Sequence, residues 1–109
     1  MARRLNRGEV WLYTFKEPDK RCPVVILSRQ EVIDLLYTVM VAPVTSTIHG
    51  APGEVIVGIE DGLKGTSAVN LDHVQTVDKR RLHRFLGRVS DEKMRDVCHA
   101  LAIATGCSD

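Results

Sequence analysis

No stretch of this 109-residue sequence approaches 18 consecutive apolar residues, so no segment qualifies as a membrane-spanning helix. The opening MARRLNRGEV sets no apolar run behind its basic residues, which speaks against a secretory leader and leads to the expectation of a cytoplasmic protein. Cysteine is scarce: Cys22, Cys98 and Cys107 make an odd number without CxxC spacing, which speaks against a disulfide framework and leads to the expectation of reduced thiols. His49, His73, His83 and His99 show neither HExxH spacing nor a nearby cysteine pair. The adjacent Cys98 and His99 point in different directions on a helix, so neither a metal nor a cofactor is expected. A net charge of only +1 denies the chain the broad basic field of a bulk nucleic-acid binder. Repeats, low-complexity tracts and linkers are absent too, and a single domain over residues 1–109 is expected.

What the sequence does hold is short apolar runs with strand character. GEVWLYTF, Gly8 to Phe15, sets Val10 and Leu12 against Trp11, Tyr13 and Phe15, the pattern of a strand partly covered on both faces. Pro18 and Asp19 favour a bend. PVVILS, rich in β-branched residues, predicts a central strand. Ser28 and Glu31 have the spacing of a capping box ahead of a short helix through Val32, Ile33, Leu35 and Leu36. YTVMVAPV, EVIVGI, SAVNL and RFLGRV are further strands, separated by the loop TSTIHGAPGE and the glycine-bearing turn EDGLKGT. From Ser90 the apolar spacing lengthens: Met94, Val97, Cys98 and Leu101 fall at helical intervals behind a Ser cap and an acidic first turn, and Gly106 ends the run. Five or six short strands with a C-terminal helix imply a mainly β fold, a curled antiparallel sheet or partly open barrel.

Cations gather locally despite the small net charge: at Arg3, Arg4 and Arg7, at Lys20 and Arg21, and at Lys79, Arg80, Arg81, Arg84 and Arg88. Runs of this kind are usually solvated faces, and only a fold that merged two of them would change that reading. KRCPVVILSR raises the sharpest case, because it places Lys20 and Arg21 at the mouth of a buried strand, where an anion would be held. PVTSTIHG offers Thr45, Ser46 and Thr47 on a loop leaving another strand. Hydroxyls and free amides there suit phosphate or ribose oxygens, although local turn bonds are the commoner use. In NLDHVQTVDK, alternation along a strand sends Asn70 and Asp72 to one face and His73 and Gln75 to the other. His73 is a candidate proton carrier near neutral pH, with a structural role as the alternative.

VWLYTF, RCPVVILS, VAPVTSTI, DGLKGTSAVNLDHVQTVDKRRL and LGRVSDEKM, in this order and spacing, resemble the MazF/PemK family of toxin endoribonucleases. The resemblance implies an SH3-like barrel that forms a homodimer, is neutralised by a cognate antitoxin and cleaves single-stranded RNA without a metal, halting translation. The family's arginine stands directly before the strand-2 proline, a position held here by Cys22, with Arg21 one place earlier. Thr45 matches the family's threonine or serine after strand 3. Arg21 and Thr45 are thus the implied catalytic pair with His73 as proton carrier, and Lys20, Ser46, Thr47, Lys64 and Gln75 are the candidate RNA contacts. The loop KEPDK is shorter than the Gly-rich loop usual in the family. Two rival readings stand beside this one. A CcdB-like gyrase poison shares the barrel, but the ending ATGCSD lacks the Trp-Gly-Ile of that group. A catalytically weak RNA-binding barrel is favoured by Cys22.

Overall fold

The computed structural model describes residues 4–15 and 20–108. Its organising feature is a set of three strands that are apolar on both faces. In β1 (Glu9–Thr14), Val10 turns to one core while Trp11 and Tyr13 turn to another. β2 (Arg21–Ile26) divides Val25 from Val24 and Ile26 in the same way, and β3 (Thr38–Thr45) divides Ala42 and Val44 from Val39 and Val41. The unbroken apolar run of β2 is therefore the consequence of two covered faces.

After β2, one helical turn, α1 (Gln30–Ile33), leads into β3; β4 (Glu54–Val57), β5 (Ser67–Asn70), β6 (Gln75–Asp78), β7 (Leu82–Arg88) and the helix α2 (Asp91–Ala104) follow. The seven strands pair in the order β4-β5-β3-β2-β1-β7, with β6 joined to β3. All recorded pairings are antiparallel. β3 is long enough to have two partners on one edge: its first half pairs β6 and its last two residues pair β5. The β1–β7 ladder slips twice, between Val10 and Trp11 and between Leu12 and Tyr13. Each slip adds curl to the sheet, and the sheet stays open, as the sequence pattern implied.

α2 forms where the capping signal placed it, with Ser90 Oγ accepting from the Lys93 amide at 3.1 Å. Met94, Val97 and Ala100 are buried against the first core, and the helix packs over β4 and the turn at residues 71–73. Cys98 leaves the apolar stripe: its sulfur accepts from Arg7 Nη2 at 3.1 Å.

Three local expectations are corrected. The capping box does not form; the cap position is Arg29, and Ser28 Oγ instead accepts from the Met40 amide at 2.8 Å, tying the turn to β3. The strand expected through Asn70 to Lys79 is broken by a 3-10 turn, Leu71–His73, because Asn70 Oδ1 accepts from the Asp72 amide at 3.0 Å. Seven strands stand where five or six were counted, since β5 and β6 are separate. The expected bend at Pro18 and Asp19 lies outside the described residues.

One buried ionic contact fastens the second half of the chain. The 3-10 turn Ile59–Asp61 presses against β7, where a side chain at Gly62 (φ 100°) would collide with the Leu86 carbonyl. Asp61 is 2% exposed; its carboxylate accepts from the Gly58 amide at 2.9 Å and from Lys93 Nζ at 2.7 Å. Asp61→Ala leaves the Gly58 N–H without that acceptor in a buried site and removes one partner of Lys93. A loss of about 2 kcal/mol is expected, read as a lower urea midpoint at unchanged slope; an unmoved midpoint would contradict this account.

Candidate functional site

Antiparallel pairing brings the start of β2, the end of β3 and the start of β5 to one edge of the sheet. The β2–β3 ladder runs to Val24 opposite Pro43, and Thr45 lies opposite Ala68 of β5. Beyond the last β2–β3 pair the strands stay side by side: the Cys22 sulfur lies 3.5 Å from the Val44 carbonyl and 3.2 Å from that of Pro23, two acceptors sharing one weak S–H donor. Counting on from Val24 and Pro43 puts Cys22 opposite Thr45. Arg21 and Thr45 therefore stand at neighbouring strand ends, with Cys22 between them.

Alternation sorts these residues by face. Cys22 shares the face of Val24 and of its β1 partner Tyr13, and it is half-buried. Arg21, paired with Thr14, is exposed and belongs to the opposite face. Its guanidinium makes no hydrogen bond or ion pair with a described residue and stands open to an anion. Lys20 is exposed beside it, and its carbonyl accepts from the Phe15 amide at 3.0 Å, which continues the β1–β2 hairpin one step past the strands.

Thr45 Oγ1 accepts from the Thr47 amide at 3.1 Å, the local turn bond that its residue type favours. That bond uses the hydroxyl as an acceptor and leaves its proton free to donate to a phosphoryl oxygen. Ser46 and Thr47 follow on the exposed loop, and Lys64 is exposed on the loop entering β5 at the same edge.

His73 and Gln75 are set apart from this group. Gln75 opens β6 opposite Val41, four residues from Thr45 along β3, or about 13 Å. His73 is exposed on the turn, with Nδ1 3.4 Å from Asn70 Nδ2. The fold thus places His73 on the flank of β3 rather than at its end.

One cation that the sequence reading did not place in the site does join it. Arg81 Nη1 donates to the Thr14 carbonyl at 3.5 Å, and Thr14 is the β1 partner of Arg21. Two cation runs distant in sequence are thereby merged at one end of β1. Their joining depends on the β1–β7 register, which no local pattern announces. Among the described residues no three His, Cys, Asp or Glu side chains are grouped to hold a metal ion.

Burial pushes the Cys22 thiol up from its ordinary range, so at neutral pH it is a protonated, half-buried group rather than a nucleophilic thiolate. Cys98 and Cys107 are exposed. With limiting iodoacetamide at pH 7.5, peptide mapping is expected to find Cys98 and Cys107 labelled before Cys22. Preferential labelling of Cys22 would overturn its assignment as a passive spacer.

Comparisons with known proteins identify the family. Residues 6–105 match the family described as PemK-like, MazF-like toxin of type II toxin-antitoxin system. A Mycobacterium tuberculosis protein named probable endoribonuclease MazF5 is 45% identical over 103 residues, covering 94% of each chain. The solved Mycobacterium tuberculosis toxin MazF-mt6 superposes with a TM-score of 0.84 at 32% identity, covering 93% of this chain and 98% of that one. A mycobacterial endoribonuclease in complex with its cognate antitoxin gives 0.84 at 29% identity, covering 94% and 95%. The chain belongs to the PemK-like, MazF-like toxin family of type II toxin-antitoxin systems.

Proposed function

We propose that this toxin is an endoribonuclease that cuts single-stranded RNA at the Thr45 end of its sheet, and that a cognate antitoxin restrains it. The observation that carries the reading is the register of β2 against β3, which sets Arg21 and Thr45 at adjacent strand ends, Thr45 on the face of Cys22 and Arg21 on the other, exposed where β2 begins. The related proteins named as endoribonucleases, and the one solved with its antitoxin, support the same reading. We take the protein to act in the cytoplasm as a homodimer, through one domain spanning residues 1–109.

The chemistry asks for few protein groups because RNA brings its own nucleophile. The ribose 2'-oxygen forms a bond to the adjacent phosphorus as the bond from phosphorus to the 5'-oxygen breaks. One proton leaves the 2'-hydroxyl and one arrives on the departing oxygen. The products are a 2',3'-cyclic phosphate and a 5'-hydroxyl, and DNA, lacking the nucleophile, is left whole. Arg21 would neutralise charge building on the phosphoryl oxygens, with a planar fork that stays cationic at any working pH. Thr45 would donate to one of those oxygens and fix the phosphate for in-line attack. Lys20, Ser46, Thr47 and Lys64 would hold the strand on either side, while His73 or Gln75 would act only on a substrate that extends along β3.

Purified toxin, with EDTA present, is expected to cut a long single-stranded RNA at discrete positions and to leave the matching DNA intact. Arg21→Ala and Thr45→Ala are each expected to lower kcat by about 100- to 1,000-fold with dimerisation retained, whereas Cys22→Ala leaves it within a few fold. Wild-type cutting by both alanine variants would remove the site assignment, and no cutting at any enzyme excess would remove the activity.

A further inference from the structure

A second concentration of positive charge lies at the far end of β1 and β2 from Thr45. The Glu9 to Arg88 pairing of β1 and β7 brings Arg88 next to Arg7, and the Val89 amide donates to the Gly8 carbonyl at 2.8 Å, closing that corner. α2 starts there and turns one side chain per helical turn into the same space: Asp91, then Arg95, then Cys98. The result is an open cleft of about 450 Å³ with Met94 and Gln30 in its walls. Three guanidiniums and a single carboxylate border it, in a chain whose net charge is only +1.

The cleft is ordered before anything enters it. Arg7 is fixed from three sides: its amide donates to Gln30 Oε1 at 2.9 Å, its Nη1 to the Leu27 carbonyl, and its Nη2 to the Cys98 sulfur at 3.1 Å. Gln30 is held in turn by donating to the Leu5 carbonyl at 3.2 Å. Arg88 has one contact with Asp91, at 3.2 Å between two exposed groups, which is weak enough to be exchanged. Arg95 makes no hydrogen bond or ion pair with a described residue. Three elements thus converge forked, permanently charged donors on a space far larger than one phosphate, and the lone carboxylate occupies only one of them.

We infer that the cleft of Arg7, Arg88 and Arg95 is a second anion site that takes a phosphate-bearing ligand. Planar guanidiniums at different angles suit a tetrahedral, multiply charged oxyanion better than a carboxylate. The phosphate can come from an RNA strand or from a free polyphosphate, and the same donors serve either. The site stands apart from the proposed cutting reaction: six residues of β1 separate the two ends, about 20 Å, and its occupancy can be read without cleavage.

Cys98 supplies that readout, because it is exposed and bonded to Arg7 at the cleft wall. Labelling of Cys98 by iodoacetamide is followed by peptide mapping, with exposed Cys107 as the internal control. The probes are pyrophosphate and a single-stranded RNA carrying 2'-O-methyl groups, which has no 2'-hydroxyl to attack. Occupancy is expected to slow Cys98 labelling severalfold and to leave Cys107 unchanged. Arg88→Ala and Arg95→Ala are each expected to raise the protecting concentration about tenfold, and Asp91→Asn to lower it by freeing Arg88. Protection by RNA alone supports the site with the strand as its source; protection by pyrophosphate supports it with a free anion as source. No protection by either probe, or equal protection in wild type and the Arg88→Ala/Arg95→Ala double variant, overturns it.

Discussion

The structure depends on the burial of β1, β2 and β3 on both faces. Val10, Val24, Val25, Ile26 and Val41 are each fully enclosed, and such a side chain contributes about 1.5 to 3 kcal/mol when buried. Two cores share one set of backbones, so most positions along the middle of these strands are committed to packing. Polar side chains that must meet a ligand are left with the strand ends and the loops. That is why Arg21, Thr45 and Arg81 gather at one end of β1–β3, and Arg7 and Arg88 at the other. The proposed sites are confined to the rims by the same apolar demand that builds the interior.

Much of this was legible in the sequence, because a strand or helix writes its burial into its periodicity. GEVWLYTF announced a strand partly covered on both faces, PVVILS a central strand, and Ser90 with Met94 and Val97 a capped helix lying on a sheet. The failures have one physical cause, competition between a local pattern and a partner far along the chain. Ser28 has the spacing of a cap, yet its hydroxyl satisfies the Met40 amide of β3. Asn70 sits in an alternating stretch, yet its side chain bonds the amide two residues on and turns the chain into a 3-10 step. Glu9 carries a charge at the start of β1, yet it is 4% exposed and accepts from the Asn6 amide and Trp11 Nε1. Hydrogen-bond partners chosen by the tertiary structure leave no periodic trace.

The candidate site was legible as a set of residues but not as an arrangement. Arg21 and Thr45 were named together because of the family resemblance, and their adjacency follows from the register of β2 against β3. What the resemblance could not supply is the face. The half-buried Cys22 sits where the family's arginine stands, with Tyr13 opposite it, and Arg21 begins on the other side of the strand. The proposed role of Arg21 at a phosphate therefore requires its long, exposed side chain to reach round the end of the strand. In mid-strand the same one-residue shift would have aimed it away. Arg81, held by the Thr14 carbonyl, is the cation that arrives from elsewhere to strengthen this end.

Net charge was the least informative quantity of all. A total of +1 describes the chain, but no ligand meets the total. Fields from exposed charges fade over about 8 Å at physiological ionic strength, whereas the two cationic ends of β1 lie about 20 Å apart. Each end presents its own potential, independent of the other and of the carboxylates distributed elsewhere. Asp34 and Asp78 are spent on Arg4 and Arg80, and Glu60 and Asp61 on Lys93. These pairings cancel charge in the sum and leave Arg21 at one end and Arg95 at the other uncancelled. A nearly neutral protein can therefore present two cationic ends to solvent, with Asp91 beside Arg88 the one carboxylate lining the cleft at the second of them.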